Sequence, residues 1–290
     1  MIESIFLIVA LLVLNLIPAF LWLTFYMKED RADEPKLLLL LAFVVGGLST
    51  VPLFFLKYVL QWLAPWLPTM SEITWSWLPI GIIISLFLAA FIEEMSKHMC
   101  ALYVMDRDYQ AHNELLDGIT YGVVVALGFS FIENSYYLWE YMLSRGISWD
   151  LLYLYLVRST IPMLAHTVFS GFFGYFYALG YIKPNTKVIT HSAYYIGLPS
   201  ILTHFSWRHL FFMTSWNWYR ATRGKSHTSN HNAIEMVIEG MWLAVILHTL
   251  YNVILNFSGN LYLPLSVLFL GFTAGTLITV VIAHVKTVDA

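Results

Sequence analysis

The chain has 290 residues, of which 59% are hydrophobic, 17% aromatic and only 11% charged; a soluble domain is nearer 45–50% apolar and about 25% charged. That composition excludes a soluble globular enzyme and gives an all-α fold class, a polytopic transmembrane helical bundle of about seven to eight spans. The formal net charge of −3 says nothing about partners, but the lack of a basic block argues against nucleic acid, and the single cysteine, Cys100, excludes an internal disulfide.

Ile5–Met27 reads as the first span. It is too long for a signal-peptide core and lacks a basic leader and a small-residue cleavage site, so it is expected to be retained. The charged loop KEDRADEPK, ending at Lys36, leads to a second span, Leu37–Trp62, interrupted by Gly46, Gly47 and Pro52. The next connection carries Pro65, Pro68 and Pro79 with Trp62, Trp66, Trp75 and Trp77, a headgroup belt. A third span, Leu78–Met105, and the polar loop DRDYQAHNE precede a fourth, Leu115–Trp139. The fifth runs over Trp149–Ile182 with a kink at Pro162. The sixth is Ala233–Phe257 and the seventh Leu263–His284.

Residues 183–232 read as a cytoplasmic or interfacial insertion within a single integral membrane domain, 1–290. Its part 193–215 holds Pro199, His204, Arg208 and His209, and aromatic residues alternate with arginine from Trp207 to Arg223. That is the pattern of a helix lying in the interface; an eighth or re-entrant span is the alternative. Orientation follows from basic residues. With the N-terminus outside and the C-terminus cytoplasmic, Lys28, Arg31, Lys36, Arg107, Lys183, Lys187, Arg208, Arg220, Arg223, Lys225 and Lys286 fall on the cytoplasmic side. Only Lys57, Arg145 and Arg158 fall outside.

Four successive spans carry polar groups where hydrocarbon is expected. Glu93, Glu94 and Lys97 lie in the third, Glu133 and Asn134 in the fourth, His166 in the fifth, and His248 with Asn252 in the sixth. A charge at bilayer depth costs at least a few kcal/mol, roughly 2.5–3.5 on the insertion scale, so such residues mark function by default. Glu93 and Glu94 each neighbour Lys97 on the helix surface, four and three residues apart. The pair itself is about 100° apart around the axis, so only one can face a given point. Phe129 shares a face with Glu133, and Ser170 and Gly174 share one with His166. Ser170, Gly171 and Gly174 would let another helix approach closely. The bland readings are a structural Glu94–Lys97 salt bridge and histidines bonded to nearby carbonyls. His191, His204, His209, His227 and His231 read as surface residues, and His98, His112 and His284 as groups near helix ends. The remaining aromatics read as lipid-facing filler. The first, second and seventh spans carry no acidic residue or histidine in their interiors and read as scaffold.

The strings EEMSK (Glu93–Lys97), FSFIEN (Phe129–Asn134), His166 with Ser170 and Gly174, and HTLYN (His248–Asn252) occur in that order over Ile82–Asn252. They match the EExxK, FxxxEN, H and HxxxN motifs, and the chain resembles the PrsW family of intramembrane proteases. That family is related to the CAAX-prenyl-endopeptidase and bacteriocin-processing group, which begins with EExxxR instead. The resemblance implies endopeptidase action on membrane-anchored proteins, with site-1 cleavage of anti-sigma factors as the example, in a bacterial or archaeal cell membrane. The insertion 183–232 departs from the pattern.

In this reading Glu93 activates a water as general base. Glu94 pairs with Lys97 or tunes Glu93, and Glu133 holds a histidine tautomer or the water. His166, His248 and Asn252 orient the water and stabilise the oxyanion. Phe129, Asn134 and Ser170 are the substrate-binding candidates. No cofactor is required for this chemistry. The competing version is a metallohydrolase in which Glu93 or Glu133 with His166 and His248 binds zinc or another divalent metal, although no HExxH string is present. Two further classes compete with proteolysis: a proton- or cation-coupled transporter using the same groups as a relay, and a non-enzymatic scaffold in which they are interhelical glue.

Overall fold

The computed structural model describes residues 2–27, 35–63, 79–107, 115–181 and 228–288. Among them there is no strand. The helices are α1 (Ile2–Met27), α2 (Lys36–Leu48), α3 (Val51–Leu63), α4 (Ile80–Met105), α5 (Leu115–Arg145), α6 (Trp149–Tyr181), α7 (Thr228–Phe257) and α8 (Tyr262–Val288). A 3-10 turn, Gly259–Leu261, joins the last two. Residues 193–215 and His112, His191, His204, His209 and His227 lie outside the described residues. The end of the expected insertion, from Thr228, is helical and opens α7.

Local chemistry sets the breaks. The second expected span is divided at Ser49–Thr50, where Ser49 Oγ donates to the Gly46 carbonyl at 2.5 Å and Thr50 Oγ1 to that of Gly47 at 2.8 Å. Pro52, next in line, has no N–H with which to continue the ladder. Helix α5 runs past Trp139, the expected end, to Arg145. Its extra turn carries Glu140, whose carboxylate accepts from Lys57 Nζ at 3.1 Å and from the Tyr136 hydroxyl. The helix stops at Gly146, whose φ of +75° is a left-handed conformation that favours glycine.

Among the described residues five segments are long and apolar enough to cross a membrane, within α1, α2–α3, α5, α7 and the 3-10 turn with α8. Helices α4 and α6 fall outside that group and carry charges into the bundle: Glu93, Glu94 and Lys97 on α4, Arg158 on α6. Helix α5 is the central post, with 83% of its span buried against 17% for α1 and for α8. It packs on α6, α2 and α1, while α7 lies against α6 and α4. The outer helices show large apolar side chains such as Phe20, Phe55 and Phe272, as lipid requires.

Apolar contact with lipid gives no net drive for helix association, so close packing and interhelical hydrogen bonds must supply it. Helix α6 crosses α5 at the small residues: a Cβ on Gly174 would stand 2.1 Å from the Gly118 carbonyl oxygen. Helix α1 is tied on by Asn15 Nδ2 donating to Ser135 Oγ at 3.0 Å, and by Trp22 Nε1 to the Ser159 carbonyl at 3.2 Å. The Tyr26 and Thr167 hydroxyls pair at 2.8 Å. Helix α1 is therefore scaffold, as expected. The filler reading of the remaining aromatics is corrected at the centre, where Phe169 and Phe173 are fully buried around the polar groups.

Candidate active site

Glu93, Glu94 and Lys97 project from the middle of α4, Glu133 from α5, His166 from α6 and His248 from α7, and all six are buried. Glu94 is the hub. Its Oε1 accepts from Lys97 Nζ at 2.6 Å and from His248 Nδ1 at 2.7 Å. A carboxylate only accepts, so His248 carries its proton on Nδ1 and turns a bare Nε2 toward Glu93. Nε2 lies 3.6 Å from Glu93 Oε2, too far for a hydrogen bond.

Lys97 Nζ also reaches His166 Nδ1, at 3.1 Å. An ammonium only donates, so Nδ1 accepts and Nε2 of His166 carries the proton, donated to Glu133 Oε2 at 3.2 Å. The same Oε2 accepts from Arg158 Nη2 at 3.1 Å. Aromatic rings wall the cluster. Phe129 lies 5.1 Å from the His166 ring, with Lys97 Nζ 5.0 Å over its own centroid, and Phe169 lies 5.6 Å from the His248 ring. Glu93 is the one of the three carboxylates that makes no hydrogen bond among the described residues.

Arg158, counted from the sequence only as a cation of the outer side, reaches the polar cluster. Its side chain folds inward along α6, with the guanidinium carbon 3.9 Å over the Tyr137 ring. Asn134 fixes it at two points. Asn134 Oδ1 accepts from Arg158 Nε at 2.9 Å, and Nδ2 donates to the Arg158 carbonyl at 3.1 Å. That carbonyl is free because Pro162, four residues on, has no N–H to give it. An amide side chain supplies the acceptor and the donor on two separate atoms, as these two contacts require, which accounts for the asparagine of FSFIEN.

His98 is likewise not at an interface. It is fully buried, stacked on Phe173 at 3.9 Å, with Nε2 3.3 Å from Glu94 Oε2 but not aligned for a hydrogen bond. Its signal was present, since His98 stands one turn beyond Glu94. The signal for Arg158 was a lone cation inside an apolar run. Asn252, half-buried, makes no hydrogen bond among the described residues, and Ser170 is buried one turn from His166 with its hydroxyl unpartnered.

Residues 34–221 match the model of the PrsW family of intramembrane metalloproteases. The chain belongs to that family. The matched region carries the glutamates, Lys97 and His166, runs into the segment after α6, and ends before α7. The protease PrsW of Oceanobacillus iheyensis is 28% identical over 59% of this chain and 68% of its own length. That of Geobacillus kaustophilus is 30% identical over 53% and 58%, and that of Bacillus subtilis 26% over 52% and 60%. The chain thus spans somewhat over half to two thirds of these relatives. No solved structure matches it.

The family description raises the question of a metal, and the donor chemistry of this PrsW-family chain can be tested for it. One ligand atom from each of Glu93, His166 and His248 lies within 4.8 Å of the other two. Two donors about 2.1 Å from a tetrahedral zinc stand about 3.4 Å apart, close to the 3.6 Å between Glu93 Oε2 and His248 Nε2. Glu93 Oε2 is buried with no hydrogen-bond partner, and Glu94 buttresses His248 from behind as carboxylates buttress metal-bound histidines. The residues fit. Glu133 is outside this group of three, held by Arg158 and His166.

Proposed function

We propose that this chain hydrolyses peptide bonds of membrane-anchored proteins within the bilayer, with Glu93 as the group that takes the proton from the attacking water. The observation that carries the reading is the division of labour among three buried carboxylates. Glu94 Oε1 is taken by Lys97 and His248 and Glu133 Oε2 by Arg158 and His166, whereas Glu93 makes no hydrogen bond at either oxygen among the described residues. A proton relay would want its carboxylates free in series, and a scaffold would want all of them paired.

The water is held between Glu93 and the bare Nε2 of His248. Its oxygen attacks the carbonyl carbon, its proton passes to Glu93, and the carbonyl π pair moves onto oxygen. On collapse the C–N bond breaks and Glu93 gives its proton to the amine nitrogen, leaving a carboxyl group and an amine. Lys97 and Glu133 hold His166 in one tautomer; Glu94 does the same for His248. Asn134 is a positioning residue in this account, because its amide is spent on Arg158. Phe129 packs the wall behind His166. Asn252 and Ser170 contribute on the substrate side.

A divalent metal would be held by Glu93, His166 and His248, and it would supply Lewis acidity toward the carbonyl and the water. A carboxylate has two oxygens, so Glu93 can serve as ligand through Oε2 and still accept a proton. The N-terminus is proposed to be outside. The cluster stands near the middle of α4, α5 and α6, so a scissile bond must unwind into the bundle to reach it.

The experiment uses purified protein in proteoliposomes with a single-span membrane protein tagged at both ends, and fragments mapped by mass spectrometry. Wild type is expected to cut, and Glu93→Gln to be inactive with an unchanged melting temperature. Full turnover by Glu93→Gln, or no cleavage by wild type, overturns the reading.

A further inference from the structure

We propose that the Tyr251 hydroxyl is a catalytic hydrogen-bond donor to the oxyanion, an inference that rests on the proteolytic reading above. Tyr251 stands one helical turn beyond His248 on α7 and is 3% exposed. Its ring packs in the apolar cluster with Ala165, Phe169 and Leu270, 6.1 Å from the Phe169 ring that in turn lies against His248. Its hydroxyl has no hydrogen-bond partner among the described residues. It nonetheless lies within electrostatic reach of Glu133 and Arg158, which places it beside the polar cluster and not out in lipid.

A buried hydroxyl without a partner costs on the order of 1–3 kcal/mol, and buried tyrosines ordinarily find one. Phenylalanine would fill the same space in this apolar cluster without that cost. The hydroxyl is therefore explained by a partner that arrives with the substrate.

The chemistry supplies such a partner. When water adds to the scissile carbonyl, the carbonyl oxygen gains a full negative charge, and a donor preorganised for it in a dry site stabilises the transition state over the ground state. Among the side chains around the cluster the charged donors and the His248 N–H are occupied, while the Ser170 hydroxyl and the Asn252 amide, like Tyr251, make no hydrogen bond among the described residues. Lys97 is bonded to Glu94 and His166, Arg158 to Glu133 and Asn134, and His248 Nδ1 to Glu94. Tyr251 donates its O–H without losing the proton, so no further acid or base is needed. Tyr251, three residues on from His248, is also on the face of α7 that carries it.

The test is Tyr251→Phe, in proteoliposomes with the doubly tagged single-span substrate, following kcat, KM and the melting temperature. Loss of one oxyanion donor lowers kcat by about 10²–10³-fold. KM should stay within about twofold, because the bond is made only in the transition state. The melting temperature should be unchanged or higher, since a hydroxyl with no partner is removed. A purely structural tyrosine gives the opposite pattern, normal kcat or a lowered melting temperature, and either result overturns the proposal. If wild type cuts and Tyr251→Phe cuts equally well, this inference alone fails. If wild type cuts nothing, the proteolytic reading fails and takes this one with it.

Discussion

Replacing Lys97 by methionine removes the cation from a pair that is sealed from solvent, with both side chains fully buried and Nζ 2.6 Å from Glu94 Oε1. At that separation and an effective dielectric near 20 the attraction is about 6 kcal/mol. Most of it offsets the cost of taking two charges out of water, so the pair adds little net stability when intact. Breaking it is different. The Glu94 carboxylate is left charged and buried, and the expected loss is about 3–5 kcal/mol. Glu94→Gln should cost a similar amount by stranding Lys97. The double variant Glu94→Gln/Lys97→Met removes both charges, keeps the volumes, and leaves an amide oxygen that can still accept from His248 Nδ1. Its stability should return most of the way to wild type, a coupling of several kcal/mol. Cleavage should stay low in the double variant, because Lys97 also donates to His166 Nδ1. Cys100, the single cysteine, half-buried on α4, gives the assay: its reaction with a thiol-specific fluorophore during a thermal ramp in detergent reports unfolding. If the losses in the two single variants simply add in the double, the charges do not form the buried pair described here and the account of Glu94 as hub is wrong.

Arg158→Met should strand Glu133 and cost about 3 kcal/mol, and Arg158→Lys should not restore activity, because a lysine cannot engage Glu133 and Asn134 together; melting curves and cleavage rates for both variants check this. Asn134→Ala leaves the Arg158 carbonyl and Nε unpaired, a loss of about 1–3 kcal/mol. In a Pro162→Ala background that penalty should shrink, since the restored helical N–H serves the same carbonyl; additive losses would remove Asn134 from this role. Gly128→Ala puts a Cβ 2.0 Å from the Phe43 carbonyl oxygen, forcing α2 off α5. It should cost about 1–3 kcal/mol or more, measured as a lower melting temperature, and a wild-type value would contradict the close approach.

The residues of the buried polar cluster were legible because charge in hydrocarbon is conspicuous whatever surrounds it. Glu93, Glu94, Glu133, His166 and His248 needed only their positions within apolar runs. Their partners were not legible. Helical periodicity says that Glu93 and Glu94 point about 100° apart, but it does not say which of them meets a neighbouring helix. In the fold both meet the same histidine, Glu94 at Nδ1 and Glu93 at Nε2. The partnership of Arg158 with Glu133 was not legible because counting basic residues treats an arginine near a helix start as a loop cation, whereas a long side chain can fold back into the bundle. Pro162 announced a kink; that it frees a carbonyl for Asn134 depends on how α5 and α6 cross.

Charge accounting across the finished site then leads back to Glu93. Lys97 is paired with Glu94 and Arg158 with Glu133, so two cations face three buried carboxylates. A carboxylate this deep does not persist as an uncompensated anion; it takes a proton or a cation. For Glu93 the balancing positive charge is therefore either a proton, which must pass to the bare Nε2 of His248 before Glu93 can act as base, or a divalent metal shared with His166 and His248. A chelator separates the two. Cleavage that stops on chelation and returns with zinc assigns the charge to a metal, with Glu93→Gln losing zinc in direct metal analysis as well as activity. Cleavage that continues in chelator, in protein shown by that analysis to be metal-free, assigns it to a proton and leaves Glu93 acting on the water without a metal.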